Sequence, residues 1–193
     1  MSADGYANPH LLITSAALHE RLQERIGPSG PLLIDLRPAE EYARGIIPGA
    51  VHLDLFGVSL VDTDPAPMKA FLWLIEHQLA TRGVDADRDV VVYDECSGIR
   101  AARALWFLEL FGHTRTRLLD GGFNAWAAEK RTISHEFVAP VATDWHGILR
   151  EDILATWRDV QDRLGRDAPP ASACRRWRRR RGRAAPGRHA TWR

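Results

Sequence analysis

Val90-Val91-Val92-Tyr93-Asp94-Glu95-Cys96-Ser97-Gly98-Ile99-Arg100-Ala101-Ala102-Arg103 is the stretch that decides the fold. Its first four residues are β-branched with an aromatic end and show no alternation, which suits a central strand covered on both faces. From Ala101 to Phe111 the chain is apolar almost all round and stops at Gly112, so a largely buried helix is expected there. Between strand and helix lies a short turn of acidic, small and thiol-bearing residues. In open α/β sheets ligands bind where strands end and helices begin, which points at the turn after Tyr93.

Working outward, apolar runs of strand length recur at Leu11–Ile13, Leu32–Leu36, Val51–Leu53 and Arg117–Asp120. Helical patterns lie between them. Thr14 and Ser15 can cap a helix carrying Leu18, Leu22 and Ile26, which Gly27-Pro28 then stops. Pro38 suits the first turn of a short helix through Tyr42. A longer helix from about Pro67 places Met68, Phe71, Leu72, Ile75 and Leu79 on one face and ends at Gly83. This order argues for an α/β domain with a mostly parallel sheet.

The composition excludes several classes. The chain has 193 residues, 45% hydrophobic and 26% charged, an ordinary globular balance. It has no run of 18 or more apolar residues, and the opening MSADGYANPH has neither a basic start nor an apolar stretch. Only two cysteines occur, Cys96 and Cys174, so a disulfide framework and a thiolate zinc site are excluded. The eight histidines show no metal-ligand spacing, and neither a metal nor a cofactor is expected. A cytoplasmic protein without membrane contact is the expectation.

Three segments stand out together: Asp35-Leu36-Arg37-Pro38-Ala39-Glu40-Glu41-Tyr42 followed by Gly45-Ile46-Ile47-Pro48-Gly49-Ala50; Tyr93 to Arg103; and Leu119-Asp120-Gly121-Gly122-Phe123-Asn124-Ala125-Trp126. Over roughly residues 10–131 their order resembles the rhodanese family of sulfurtransferases. The family blocks read D-x-R…E-[FY]…G-H-I-P-G-A and L-D-G-G-x-x-A-W, with Ile46 here where the family usually has His. The resemblance implies a rhodanese-like α/β domain, a mostly parallel five-stranded sheet with helices on both faces. It also implies that Asp35, Arg37, Glu41, Pro48, Gly49, Asp120, Gly121, Gly122 and Trp126 are its structural motif, and that no cofactor is needed. Read from the residues alone, these blocks are architectural: Pro48-Gly49 is a tight turn, and Gly121-Gly122 needs positive φ before a short helix. Neither block supplies a nucleophile.

In rhodanese-like enzymes the loop after the central strand curls into a cradle of backbone N–H groups that stabilises a thiolate and then a persulfide anion. The resemblance makes Cys96 the candidate nucleophile and Asp94, Glu95, Ser97, Gly98, Ile99, Arg100 and Arg103 the anion-binding loop. Cys96 would attack the outer sulfur of thiosulfate or a related small sulfur anion, sulfite would leave, and a thiol or other thiophilic acceptor would collect the sulfur. The register opposes this assignment. The family's cysteine directly follows the strand, a place held here by Asp94, and two acidic neighbours disfavour a thiolate. Y-D-E-x-S-G-x-x-A-A-R looks more like the non-catalytic N-terminal half of two-domain rhodaneses, in which Asp commonly takes the cysteine's place. A phosphatase of this fold needs Arg six residues after Cys, where Ala102 stands.

Beyond the main domain, expected over residues 8–135, residues 136–167 form a linker and the start of an incomplete second unit. Ile148-Leu149, Leu154, Trp157 and Leu164 loosely echo Leu12-Ile13, Leu18, Leu22 and Ile26. Nine arginines and no acid follow Asp167, so residues 168–193 carry +9 and residues 1–167 carry −8, although the whole chain is +1. This Arg-rich tail is expected to be disordered. One reading makes it a basic arm for non-specific nucleic-acid contact, with Trp177 and Trp192 as stacking groups. The other makes it an out-of-frame product of a G+C-rich gene, since Arg outnumbers Lys 24 to 2. The functional expectation is a sulfurtransferase-family protein, the non-catalytic half of a truncated or frameshifted tandem enzyme with weak activity of its own. The alternative is a catalytically inactive binding or regulatory module.

Overall fold

Five short parallel strands form the framework of the computed structural model, which describes residues 7–24 and 30–164. In chain order these are β1 (Leu12–Ile13), β2 (Leu32–Asp35), β3 (Val51–His52), β4 (Val90–Tyr93) and β5 (Thr116–Leu119), arranged β1-β5-β4-β2-β3. β4 has a neighbour on each side, and all four of its residues are buried. That explains why its sequence runs apolar without alternation.

Helices cover both faces. On one, α1 (Ser15–Glu24) and α5 (Gly122–Ala128) press Leu18 and Trp126 onto Leu33, Val91, Tyr93 and Leu119, joined by Ile46 and Ile47. On the other, α3 (Pro65–Thr81) meets α4 (Ile99–Leu110) through Phe71 and Phe107. α2 (Ala39–Ala43) starts directly after Pro38. The predicted Thr14 cap is present, its Oγ1 accepting the Ala17 N–H at 3.2 Å. The predicted stop at Ile26-Gly27-Pro28 lies outside the described residues, as do Cys174 and the whole Arg-rich tail.

Among the described residues, those up to Arg150 form one compact unit and residues 151–164 belong to a second. Residues 136–150 enter no sheet. Instead Thr143 N–H donates to the Ala80 carbonyl (3.0 Å), Gly147 N–H to Glu76 Oε1 (2.8 Å), and Ile148 N–H to the Phe111 carbonyl (2.9 Å). Trp145 is buried edge-on against Phe111 and His113. The Ile148-Leu149 echo of the first strand is thus one of apolar spacing only. In the second unit, Thr156 and Asp159 cap α6 (Trp157–Leu164) reciprocally. Among the described residues no helix is long and apolar enough to cross a membrane.

One buried polar network ties the sheet together. Asp35 and Arg37, both essentially inaccessible, pair at 2.7 Å, and Arg37 Nη2 also donates to the Gly45 carbonyl at 2.6 Å. The Tyr93 hydroxyl donates to Asp35 Oδ2 at 2.8 Å from the neighbouring strand. Burial, and then the Asp35 charge, pushes the Tyr93 phenol well above its ordinary value. The folded chain therefore keeps a proton that the unfolded chain loses above about pH 10, so stability is intact below that pH and falls as pH rises. We expect the urea unfolding free energy to decline as pH rises past about 10, with a Tyr93 contribution approaching about 1.4 kcal/mol per pH unit. Tyr93→Phe should be less stable at pH 8 yet show a flatter decline; an unchanged slope would contradict the assignment.

Candidate active site

The loop Asp94–Gly98 joins the end of β4 to the start of α4 and is wound around the Asp94 side chain. Asp94 is only 2% exposed. Its Oδ1 accepts the N–H groups of Cys96 (3.1 Å) and Gly98 (2.7 Å), and its Oδ2 accepts that of Ala101 (3.0 Å). These are the converging amides, backed by a helix N-terminus, that can hold an anion. Their occupant is the chain's own carboxylate.

The D-G-G block braces this loop from behind. Phe123 N–H donates to the Asp94 carbonyl (2.8 Å) and Asn124 N–H to the Glu95 carbonyl (2.9 Å). A Cβ on Gly122 would lie 2.7 Å from Cys96 N and collide with the Asp94 carbonyl, so only glycine allows the approach. Ser97 adopts a left-handed φ of 63° and is fixed by its hydroxyl, which donates to the Leu119 carbonyl at 2.7 Å. Asp120 N–H joins β1 at the Ile13 carbonyl, and buried Trp126 donates Nε1–H to the Thr132 carbonyl. The first block reaches the loop through Arg37, whose guanidinium carbon stacks 3.7 Å from the Phe123 ring centre. Burial pulls the Arg37 guanidinium down, but Asp35 outweighs it and leaves the group above its ordinary value.

The other sequence-predicted residues do not converge on a thiol. Cys96 is exposed, and its N–H is spent on Asp94. Arg100 pairs with Asp54 at 3.3 Å and stacks over Phe56 at 4.3 Å. Arg103 donates to the carbonyls of Leu55 (2.8 Å) and Val58. Ile99 is exposed and, with Leu36, Leu55, Phe56 and both arginines, lines a cleft of about 130 Å³ beside the loop. Glu41 pairs with Arg44 on the surface, away from the loop. Pro48-Gly49 makes the tight turn, Gly49 at φ 84° and Ala50 N–H closing on the Ile47 carbonyl at 3.0 Å. Buried Ile46, in the place of the family His, exchanges backbone hydrogen bonds with Ser134.

Residues 54–58 and Phe123 are the parts that sequence reasoning missed. The segment DLFGVSL carries no strand or helix period, and Phe123 occupies an unspecified position of its block. Among the described residues no three His, Cys, Asp or Glu side chains converge to hold a metal.

Comparison with known proteins bears on this geometry. The rhodanese-like domain family matches residues 18–129. Thiosulfate sulfurtransferase of Azotobacter vinelandii is 36% identical over 165 residues, 84% of this chain and 58% of that protein. The thiosulfate sulfurtransferase of Pseudomonas aeruginosa is 34% identical over 148 residues, 75% of this chain and 53% of that protein. The chain thus spans about half the length of these curated relatives. Among solved structures, SseA of Escherichia coli superposes with a TM-score of 0.63 at 23% identity, covering 79% of this chain and 62% of that one. A probable thiosulfate sulfurtransferase gives 0.56 at 29% identity, covering 70% and 56%.

The Asp94 carboxylate should be replaceable by a free anion. Asp94→Gly leaves three partly buried amides without their acceptor and should cost at least about 2 kcal/mol in urea unfolding. Sulfate or thiosulfate at millimolar concentration should then raise the melting temperature of Asp94→Gly by several degrees while leaving wild type unmoved. Equal shifts in both proteins would show that the carboxylate does not fill an anion site.

Proposed function

The chain belongs to the rhodanese family, and from that premise we propose that it is the non-catalytic half of a tandem sulfurtransferase. The observation that carries this reading is the Asp94 carboxylate in the amide cradle. Sulfur transfer through a persulfide needs a thiolate amid positive potential or converging N–H groups. Here a carboxylate, which cannot carry sulfur, holds those donors. The match to about half the length of thiosulfate sulfurtransferases supports the same reading.

The donor would be thiosulfate or a related sulfane-sulfur anion, and the acceptor a thiophile such as cyanide or a thiol. If Cys96 reacts, its thiolate bonds to the outer sulfur, the S–S bond of thiosulfate breaks, and sulfite departs with the electron pair. The acceptor then takes the outer sulfur and regenerates the thiolate. Cys96 is poorly equipped for this: Arg100 and Arg103 are engaged with residues 54–58, and its own N–H serves Asp94.

We expect the isolated chain to form thiocyanate from thiosulfate and cyanide far more slowly than the full-length relatives do. Cys96→Ser and Cys174→Ser should change that residual rate little, and no one-sulfur adduct should accumulate on Cys96 by intact mass. Robust turnover lost only in Cys96→Ser, with the adduct on that residue, would make the chain a working single-domain enzyme. Asp94→Cys sets a thiol where the amides converge and should gain thiosulfate-dependent persulfide by mass where wild type shows none.

A further inference from the structure

Away from the Asp94 loop lies a second feature that the sulfur chemistry leaves unused. β3 pairs with β2 only at Ile34 and Asp35, so Leu32 and Leu33 have no β3 partner. Beyond the Ile46–Ser134 bridge the chain continues as an exposed segment without regular secondary structure, residues 138–141, before Thr143 fastens to Ala80. Between this segment and α1, with the buried start of β2 at its floor, lies a groove of about 750 Å³. Its walls are apolar, from Leu22, Leu32, Leu33, Val51, Trp126 and Val141.

The charge of the lining is one-sided. Arg82 and Arg88 reach the groove and no Asp or Glu lines it. Arg82 is fixed by donating to the His52 carbonyl at 3.1 Å and to Gln78 and Thr81. Arg88 donates Nε–H to the Gly30 carbonyl at 3.2 Å. Burial draws Arg88 below its ordinary value, with Asp85 opposing, so this guanidinium is partly stripped of water. A guanidinium remains charged and presents a fork suited to a carboxylate. Volume, apolar walls and a few fixed polar groups are the attributes of a small-molecule site.

We propose that this groove binds a small amphipathic anion, an aliphatic chain lying along Leu22, Val138 and Val141 with its carboxylate against Arg88. A neutral chain would forgo the guanidinium, and an amphipathic cation would meet two like charges in an apolar cleft. The site is independent of the sulfurtransferase reading, because none of its walls belongs to the Asp94 loop.

The test is titration calorimetry of the full chain with decanoate, decanol and decylammonium, together with vesicles of phosphatidylglycerol. Decanoate should bind one per chain, with decanol at least about tenfold weaker and decylammonium weaker still. Arg88→Gln should weaken decanoate by about tenfold and leave decanol unchanged. Ala139→Trp, which fills the groove from the exposed segment, should abolish binding of both, with circular dichroism and melting temperature checking that each variant is folded. The proposal is overturned if decanoate does not bind at millimolar concentration, if Arg88→Gln and Ala139→Trp bind it as wild type does, if decylammonium binds equally well, or if only the vesicles bind.

Discussion

A buried ion pair sets the terms for the rest of this molecule. Asp35 and Arg37 lie at the end of β2 with almost no access to water, and an isolated charge there would be costly. Each charge is therefore surrounded by partners drawn from separate segments: Tyr93 from β4, Gly45 from the turn after α2, and Phe123 from α5. Satisfying two charges fixes four pieces of chain at the carboxyl end of the sheet. Phe123 then passes that rigidity to the loop, since its N–H holds the Asp94 carbonyl. The pair contributes position more than net stability, because desolvation consumes much of what pairing returns.

The second constraint follows from the first. Once the D-G-G turn and the end of β4 are held together, the amides of residues 96, 98 and 101 must point inward at one spot. Unfilled, three converging donors with a helix dipole behind them would attract any available anion. Asp94 supplies one that is covalently attached, so it needs no binding entropy and cannot diffuse away. Architecture suited to holding a transient anion is thereby converted into a permanent structural joint. Cys96, two residues on, is left at the surface.

Much of this was legible in the sequence, for reasons that can be named residue by residue. Val90–Tyr93 reads as a central strand because a strand buried on both faces needs no polar residues, and it is one. Asp94 is legible because its place directly after the strand is where an anion is held. What Arg100 and Arg103 do was not legible. Their spacing places them on the first turns of α4, but their partners, Asp54 and the carbonyls of Leu55 and Val58, lie in an aperiodic segment more than forty residues upstream. The attachment of residues 136–150 was not legible for a related reason. Residues 136–150 attach by single backbone bonds and one buried indole, which leave no periodic trace.

The outermost strands of the sheet, β1 and β3, are only two residues long. An exposed strand edge is a template on which another chain can add, and length decides how strongly it recruits. Two-residue margins offer a newcomer too few ladder bonds to offset the entropy of ordering it. The aggregation-prone, uniformly apolar run of β4 is kept inside, between β2 and β5. Stubby margins thus give the folded chain resistance to amyloid-like stacking without a single edge lysine.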